Sequence, residues 1–329
     1  MAFPIAGPAT SPILYPVGGV ANSLGATGFI PEIWSGKLIE KFYASTVLAA
    51  ISNTNYEGEI KNKGDKVKIR TKPTITIRDY RADGLLAIDR PSGNVIELLI
   101  DKGKYFNLAL DDVMDIQSDI NNMSIWSEDA AEQMKIVIDT DVLLGLLGQA
   151  AAANRGLTAG AISANINLGV TGTPVPVVAK SPTAGQVEIV DMILRMGQVL
   201  DEQNIPETGR WAIIPAWAST RIKQSELRDA SLTGDGTSIL RNGRLGMIDR
   251  FTIYGSNLLP KGNGTNGMAV GEYVLYAGHA HGLTFASQIN KVETLRSEQT
   301  FANLLRGLQV YGFKVIDGTA ITQAIVTAP

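Results

Sequence analysis

Residues 57–106 contain a β-ribbon with too little around it to bury itself, and this constrains the chain more than any other feature. In Lys66-Val67-Lys68-Ile69-Arg70-Thr71-Lys72 charge and bulk alternate strictly. Successive side chains of a strand point to opposite faces, so Lys66, Lys68, Arg70 and Lys72 line one face and Val67, Ile69 and Thr71 the other. A second β-rich run, Val95-Ile96-Glu97-Leu98-Leu99-Ile100, returns towards Tyr105 and Phe106, and turn residues lie between the two runs at Asp83-Gly84 and Arg90-Pro91-Ser92-Gly93-Asn94. Arms of about 15–20 residues reach on the order of 50–65 Å at strand rise. An isolated two-stranded hairpin is at best marginally stable in water. Something else must cover it, and another copy of the same protein is the simplest candidate.

Composition narrows the rest. The length of 329 residues provides material for one large domain or two to three small ones. Hydrophobic residues make up 45% and charged residues 19%, as in a globular protein rather than a disordered one. With Cys 0, disulfides, thiolate catalysis and cysteine-held metals are excluded. The net charge of -3 argues against general attraction to nucleic acid, although a neutral wall beside DNA remains compatible with it. The first lysine is Lys37 and Pro4, Pro8, Pro12 and Pro16 interrupt any early helix, so no targeting segment is expected. The most apolar helical stretch, residues 136–153, carries Asp139 and Asp141 and makes a poor membrane span, which leaves a soluble cytoplasmic protein as the expectation.

Along the chain, the uncharged stretch 1–30 reads either as a flexible tail or as an extended arm laid on a neighbour. A short helix is predicted over 31–52, with Pro31 in its first turn. Residues 108–122, with Asp111, Asp112, Asp115 and Asp119, read as a strand end followed by a loop or short helix. The longest helix is predicted over 125–152, capped by Ser124 and stopped by Asn154-Arg155-Gly156, with Trp126, Ala130, Met134, Ile138 and Val142 at helical spacing. Residues 156–182 read as a loop or insertion. Thr183-Ala184-Gly185-Gln186 matches a capping box before a helix to about 203. A buried strand at 210–214, a helix over 216–227 and a mobile loop at 228–243 follow. Strands are expected at 251–254, 268–277 and 283–289, then a short helix at 297–306 and final strands at 308–316 and 320–327. Strands and helices mix without βαβ alternation, which favours an α+β fold.

Motifs for chemistry are weak. Gly262-Asn263-Gly264-Thr265-Asn266-Gly267 fits a dinucleotide-binding string, but a strand follows where a helix is required, so it reads as a hairpin loop. His279-Ala280-His281 holds both histidines of the chain and reads as a corner between strands, with metal binding the lesser reading. Asp139 and Asp141 diverge by about 200° on a helix and read as solvated faces. The ladder of Lys66, Lys68, Arg70 and Lys72 admits three readings: a solvated edge guarded by charge, a surface matched to an acidic face of a neighbouring subunit, or a nucleic-acid contact, for which interleaved aromatics are missing.

The order of these parts resembles the major capsid proteins of tailed double-stranded DNA phages, of the Hong Kong 97-type fold. Pro31-Glu32-Ile33-Trp34-Ser35-Gly36-Lys37-Leu38 through Gly64-Asp65-Lys66-Val67-Lys68-Ile69 is similar to the start of many of them. Gly243-Arg244-Leu245-Gly246 and the following strand resemble a turn-then-strand stretch of that family, with Arg250 where glycine is usual, and Val310-Tyr311-Gly312-Phe313-Lys314-Val315 before Thr319-Ala320-Ile321 resembles its last strand pair. The resemblance implies an N-terminal arm and short helix at 1–55 and an extended β-hairpin, the E-loop, at 56–106. It also implies a peripheral domain with a long spine helix at 107–155 and 286–329, a loop or small insertion at 156–183, and an axial domain at 184–285.

The function implied is structural: a self-assembling icosahedral shell enclosing phage double-stranded DNA, with no catalytic residue, metal or cofactor. Its partners would be copies of itself in pentamers and hexamers, a scaffolding protein, a portal and non-specifically packaged DNA, with no membrane. The site would be the virion after assembly in the host cytoplasm, and Lys66, Lys68, Arg70 and Lys72 would make contacts between subunits. The rival readings are a shell of the same fold around cargo without a genome, and a metal-dependent hydrolase using His279, His281 and a distant carboxylate.

Overall fold

The structure is a computed structural model that describes residues 43–55, 66–73, 75–80, 88–91, 93, 95–112, 122–225, 246–264, 267–298 and 300–328. The uncharged stretch 1–30, most of the helix expected over 31–52, Asp115, Asp119 and the loop expected at 228–243 lie outside the described residues. Of that first helix, the described part contains a single turn, α1 (Leu48–Ile51).

Among the described residues, three sheets organise the chain. β1 (Lys66–Arg70) and β2 (Val95–Leu99) form a two-stranded ribbon. β10 (Leu283–Arg296), β11 (Ala302–Val315) and β3 (Lys102–Asp111) form an antiparallel three-stranded sheet with β11 in the middle. The third sheet has seven strands, ordered β5 (Val187–Glu188), β4 (Val175–Val178), β12 (Ile321–Thr327), β9 (Glu272–His279), β6 (Arg210–Ile214), β8 (Phe251–Gly255), β7 (Met247–Ile248).

The seven-stranded sheet has a core on each face. Ala212 and Ile214 of β6, Leu275 and Ala277 of β9, and Ala324 and Val326 of β12 pack on one side with Ile189, Met192, Ile193, Met196 and Leu200 of helix α3 (Ile189–Glu202). Those helix residues recur at three- and four-residue intervals, the spacing of one apolar face. Trp211, Ile213, Val274, Tyr276 and Ile321 point to the other side, where they meet Ile138, Val142, Leu143 and Leu146. A strand covered on both faces needs no polar alternation. That is why Arg-Trp-Ala-Ile-Ile of β6 is buried throughout, with Arg210 held by Asp201 at 2.7 Å and by the carbonyls of Ile205 and Pro206. Helix α4 (Ala216–Gln224) follows β6.

Four expectations change. The long helix, α2, spans Asn122–Gly145 rather than 125–152, so Ser124 lies inside it. It ends where Gly145 makes room for the Phe313 ring and Gly148 adopts φ 76, its N–H donating to Gln323 Oε1 at 2.7 Å; tertiary contacts override the helix preference of the Leu- and Ala-rich continuation. The helix expected at 297–306 is a turn and the start of β11, because Leu304 and Leu305 are claimed by ladders from β10 and β3 at once. Thr183 and Gln186 do pair, through Thr183 N–H to Gln186 Oε1 at 3.2 Å and Gln186 N–H to Thr183 O at 2.9 Å, but they close a turn, and α3 starts after Glu188. Residues 156–182 are built into the fold: Ala159, Ile166 and Leu168 are buried and β4 pairs with β12 in parallel. Glu202 clamps this segment by accepting from the N–H groups of Ser163 and Ile162, bonds that lower its carboxyl to about 2.

The strand pairing also crosses the expected domain limits. β12 lies between β4 and β9, so the last strand belongs with the sheet of 184–285 rather than with the three-stranded sheet. The return from the ribbon divides as well: β2 pairs with β1, and from Lys102 the chain pairs with β11.

Candidate assembly surface

The ribbon has an inner and an outer face. Inwards, Ile69, Leu98 and Ile100 are buried against Ala286, with Val67, Val310 and Ile316 beside them. The contact with the sheet is close: a Cβ at Gly312 of β11 would collide with the Leu99 carbonyl oxygen. Outwards, Lys66, Lys68 and Arg70 are exposed, opposite Leu99, Glu97 and Val95 respectively. Lys68 lies 3.5 Å from Glu97, with the two side chains 63% and 44% exposed. A pair as open to solvent as this contributes about 0–1 kcal/mol. Lys72 is exposed beyond the strand, which ends at Arg70.

Past the base, the arms stay side by side. Gly93 packs on the backbone of Thr71, and Arg78 pairs with Asp89 at 3.0 Å. The apolar residues here are bare: Ile75 is 66% exposed, Ile77 88%, Tyr80 75% and Ile88 88%. Charge patterning points to the basic residues and passes over these, although Ile75-Thr76-Ile77 between turn signals shows the same two-residue period.

A second surface lies between α2 and β3. The side chains of β3 alternate, and Phe106 and Leu108 face the helix, where they meet Trp126, Ala130, Met134 and Val137 around a cavity of about 660 Å³. Lys104 and Asp129 stand among its lining residues. Lys104 pairs with Asp141 at 3.0 Å, and Tyr311 Oη donates to Asp141 at 2.7 Å. Burial pushes the Asp141 carboxyl up, but the bonds from Tyr311 and Lys104 outweigh it and hold it below the usual range. The bond to Asp129 raises the Tyr43 hydroxyl to about 12.

Asp139 and Asp141 diverge as a helix requires, yet neither is a solvated face. Asp139 is 1% exposed, and its Oδ2 accepts the Val47 N–H at 2.8 Å. Burial pushes its carboxyl up, against the smaller downward pull of the Val47 and Leu48 N–H groups. It tethers the segment that leads into α1 to the long helix.

The chemical motifs resolve as structural features. His279 Nδ1 accepts the His281 N–H at 3.1 Å in a corner between β9 and β10, and burial lowers the His279 imidazole. Among the described residues, no group of three or more His, Asp or Glu is placed to hold a metal ion. Gly262 and Gly264 lie in the loop before β9, closed by the Gly264 N–H to Met268 O at 3.1 Å and the Gly262 N–H to Glu272 O at 2.7 Å. Arg250, which stands where the resemblance leads one to expect glycine, has φ 63, a left-handed conformation that explains the glycine; Glu207 holds its guanidinium at 2.5 Å. Among the described residues, no helix is long and apolar enough to cross a membrane.

The family described as Phage capsid protein matches residues 96–324. The chain belongs to the phage capsid protein family. No curated protein matches it. Among solved structures, one from Mycobacterium phage Che8 is 26% identical, covering 90% of this chain and 96% of that one with a TM-score of 0.70. A capsid structure of cyanophage P-SCSP1u is 13% identical, covering 93% and 95% with a TM-score of 0.70. The capsid of a native GTA particle is 13% identical, covering 94% and 99% with a TM-score of 0.66. The fold is therefore that of phage major capsid proteins, and this phage capsid protein is a structural component of the virion.

Proposed function

We propose that many copies of this capsid protein assemble, as pentamers and hexamers, into an icosahedral shell that encloses a double-stranded DNA genome. The ribbon carries the reading: its base is packed on its own subunit, while its basic face and apolar tip are left for others. Residues 1–55 would form an arm and 56–106 the extended hairpin. α2 with the three-stranded sheet would form the peripheral part. The seven-stranded sheet, including β4 and β12, would form the axial part around the symmetry axes. Lys66, Lys68, Arg70 and Lys72 would meet an acidic face of a neighbour. A net charge of -3 suits a wall that contains DNA without gripping it. A separate scaffolding protein and a portal would complete the particle in the host cytoplasm.

Expression of the protein, alone and with its scaffold, followed by negative-stain microscopy tests this. Closed particles of uniform size are expected; a stable monomer under every assembly condition would contradict it. The likeness to the GTA capsid supports a second reading, a shell of the same fold around other cargo. The length of nuclease-protected nucleic acid in purified particles separates the two.

A further inference from the structure

We infer that the corner between β9 and β10 is an acid-sensitive joint between the two larger sheets: neutral His279 fastens it, and a second proton on that ring loosens it. The corner is the direct chain link from the seven-stranded to the three-stranded sheet, and it consists of one turn, Ala280–Gly282. The far end of the turn is held by backbone, the Ile316 N–H donating to Gly282 O at 2.9 Å. The near end is held by a side chain. His279 Nδ1 accepts the His281 N–H at 3.1 Å, so the proton of the neutral ring sits on Nε2. The ring also bonds the Thr208 backbone, on the side where a Cβ at Gly209 would lie 3.3 Å from Nε2. A proton on Nδ1 turns the acceptor into a donor aimed at another donor, and the bond to the His281 N–H must break.

The charges around the ring oppose that second proton. Arg210 of β6 is the register partner of His279, and its side chain is 1% exposed. Asp201, at the end of α3, pairs with Arg210 at 2.7 Å and is itself open to solvent. Arg250, in the turn between β7 and β8, shares Asp201 at 3.5 Å and is held by Glu207. His281 brings a further positive charge when protonated. On the other side of the corner, the Asp317 carboxylate is occupied by the Thr319 N–H and hydroxyl, at 2.9 and 2.6 Å. Burial, then His281 and Arg210, push the His279 imidazole down, and the Thr208 bond offsets them only in part. The folded pKa therefore lies below the unfolded value of about 6.5. The stability contributed by neutral His279 is present above that value and is lost as pH falls through the folded pKa. The joint is a property of the subunit and does not rest on the shell reading.

The chain has His 2, so ring NMR of the full-length, dissociated subunit resolves each histidine. His281→Asn leaves the His279 ring alone and assigns it. In the wild type, His279 should carry its proton on Nε2 at neutral pH. As that ring titrates, the protection factor of the amide at position 281 should fall at least tenfold, the mark of a local opening. In His279→Asn the side-chain oxygen keeps an acceptor for the His281 N–H and cannot take the proton. Protection at 281 should then stay level from neutral pH down to about 5, below the unfolded histidine value. In His281→Asn the acid response should persist with its midpoint raised, because one repelling charge is gone. A proton on Nδ1 at neutral pH, titration of His279 without loss of protection at 281, an equal loss in His279→Asn, or no response in His281→Asn would each overturn the joint. Should His279→Asn fail to fold, as judged by circular dichroism, the wild-type titration decides alone.

Discussion

Single residues at points of close approach or burial set the local stability. Gly312 lets β2 cross β11, and any Cβ there meets the Leu99 carbonyl oxygen. Gly312→Ala should therefore cost about 1–3 kcal/mol, the usual penalty of overpacking, read as a lower urea midpoint with an unchanged slope. Asp139 yields a pH signature. Burial raises its folded pKa above the unfolded value, so the folded state holds the proton more firmly. Stability is then higher below the usual carboxylate range, falls as pH rises from about 4 through the folded pKa, and is flat beyond it. Asp139→Asn keeps an acceptor for Val47 and cannot ionise. Its stability relative to wild type should rise over that window and then level off, as followed by urea melts across pH; parallel profiles would show that the carboxyl is not raised.

At the scale of elements, the sequence was legible wherever burial leaves a period. The alternation of Lys66 to Arg70 gave the ribbon, and the uninterrupted apolar run of β6 gave a buried strand. It was not legible where distant partners decide. Residues 302–306 look helical on their own, and only the simultaneous ladders to β10 and β3 make them a strand. The end of α2 is set by Phe313 and Gln323, far away in sequence. The basic face of the ribbon was visible but its use was not, since exposure alone does not distinguish a solvated edge from an interface. Lys68→Glu with Arg70→Glu decides it. Both side chains lie on the outer face, so thermal unfolding of the subunit should shift by no more than a few degrees, as for about 1 kcal/mol. Particle yield by sedimentation should fall at least tenfold. Normal yield would make the ladder a solvated edge.

For the whole molecule, the family and the fold are those of a structural protein. The cores lie on both faces of one sheet and beneath one ribbon. Among the residues left uncovered are the charged face of the ribbon and the apolar Ile75, Ile77, Tyr80 and Ile88 beyond it. In the proposed shell, sister subunits cover the hairpin. Amide hydrogen exchange over residues 66–99, compared between dissociated subunits and assembled particles, tests this most directly. Exchange of residues 71–80 and 88–93 should slow by at least tenfold on assembly, while β6 and β9, already buried, change little. Equal exchange in subunit and particle would mean that the hairpin stays uncovered in the shell, and the account would fail.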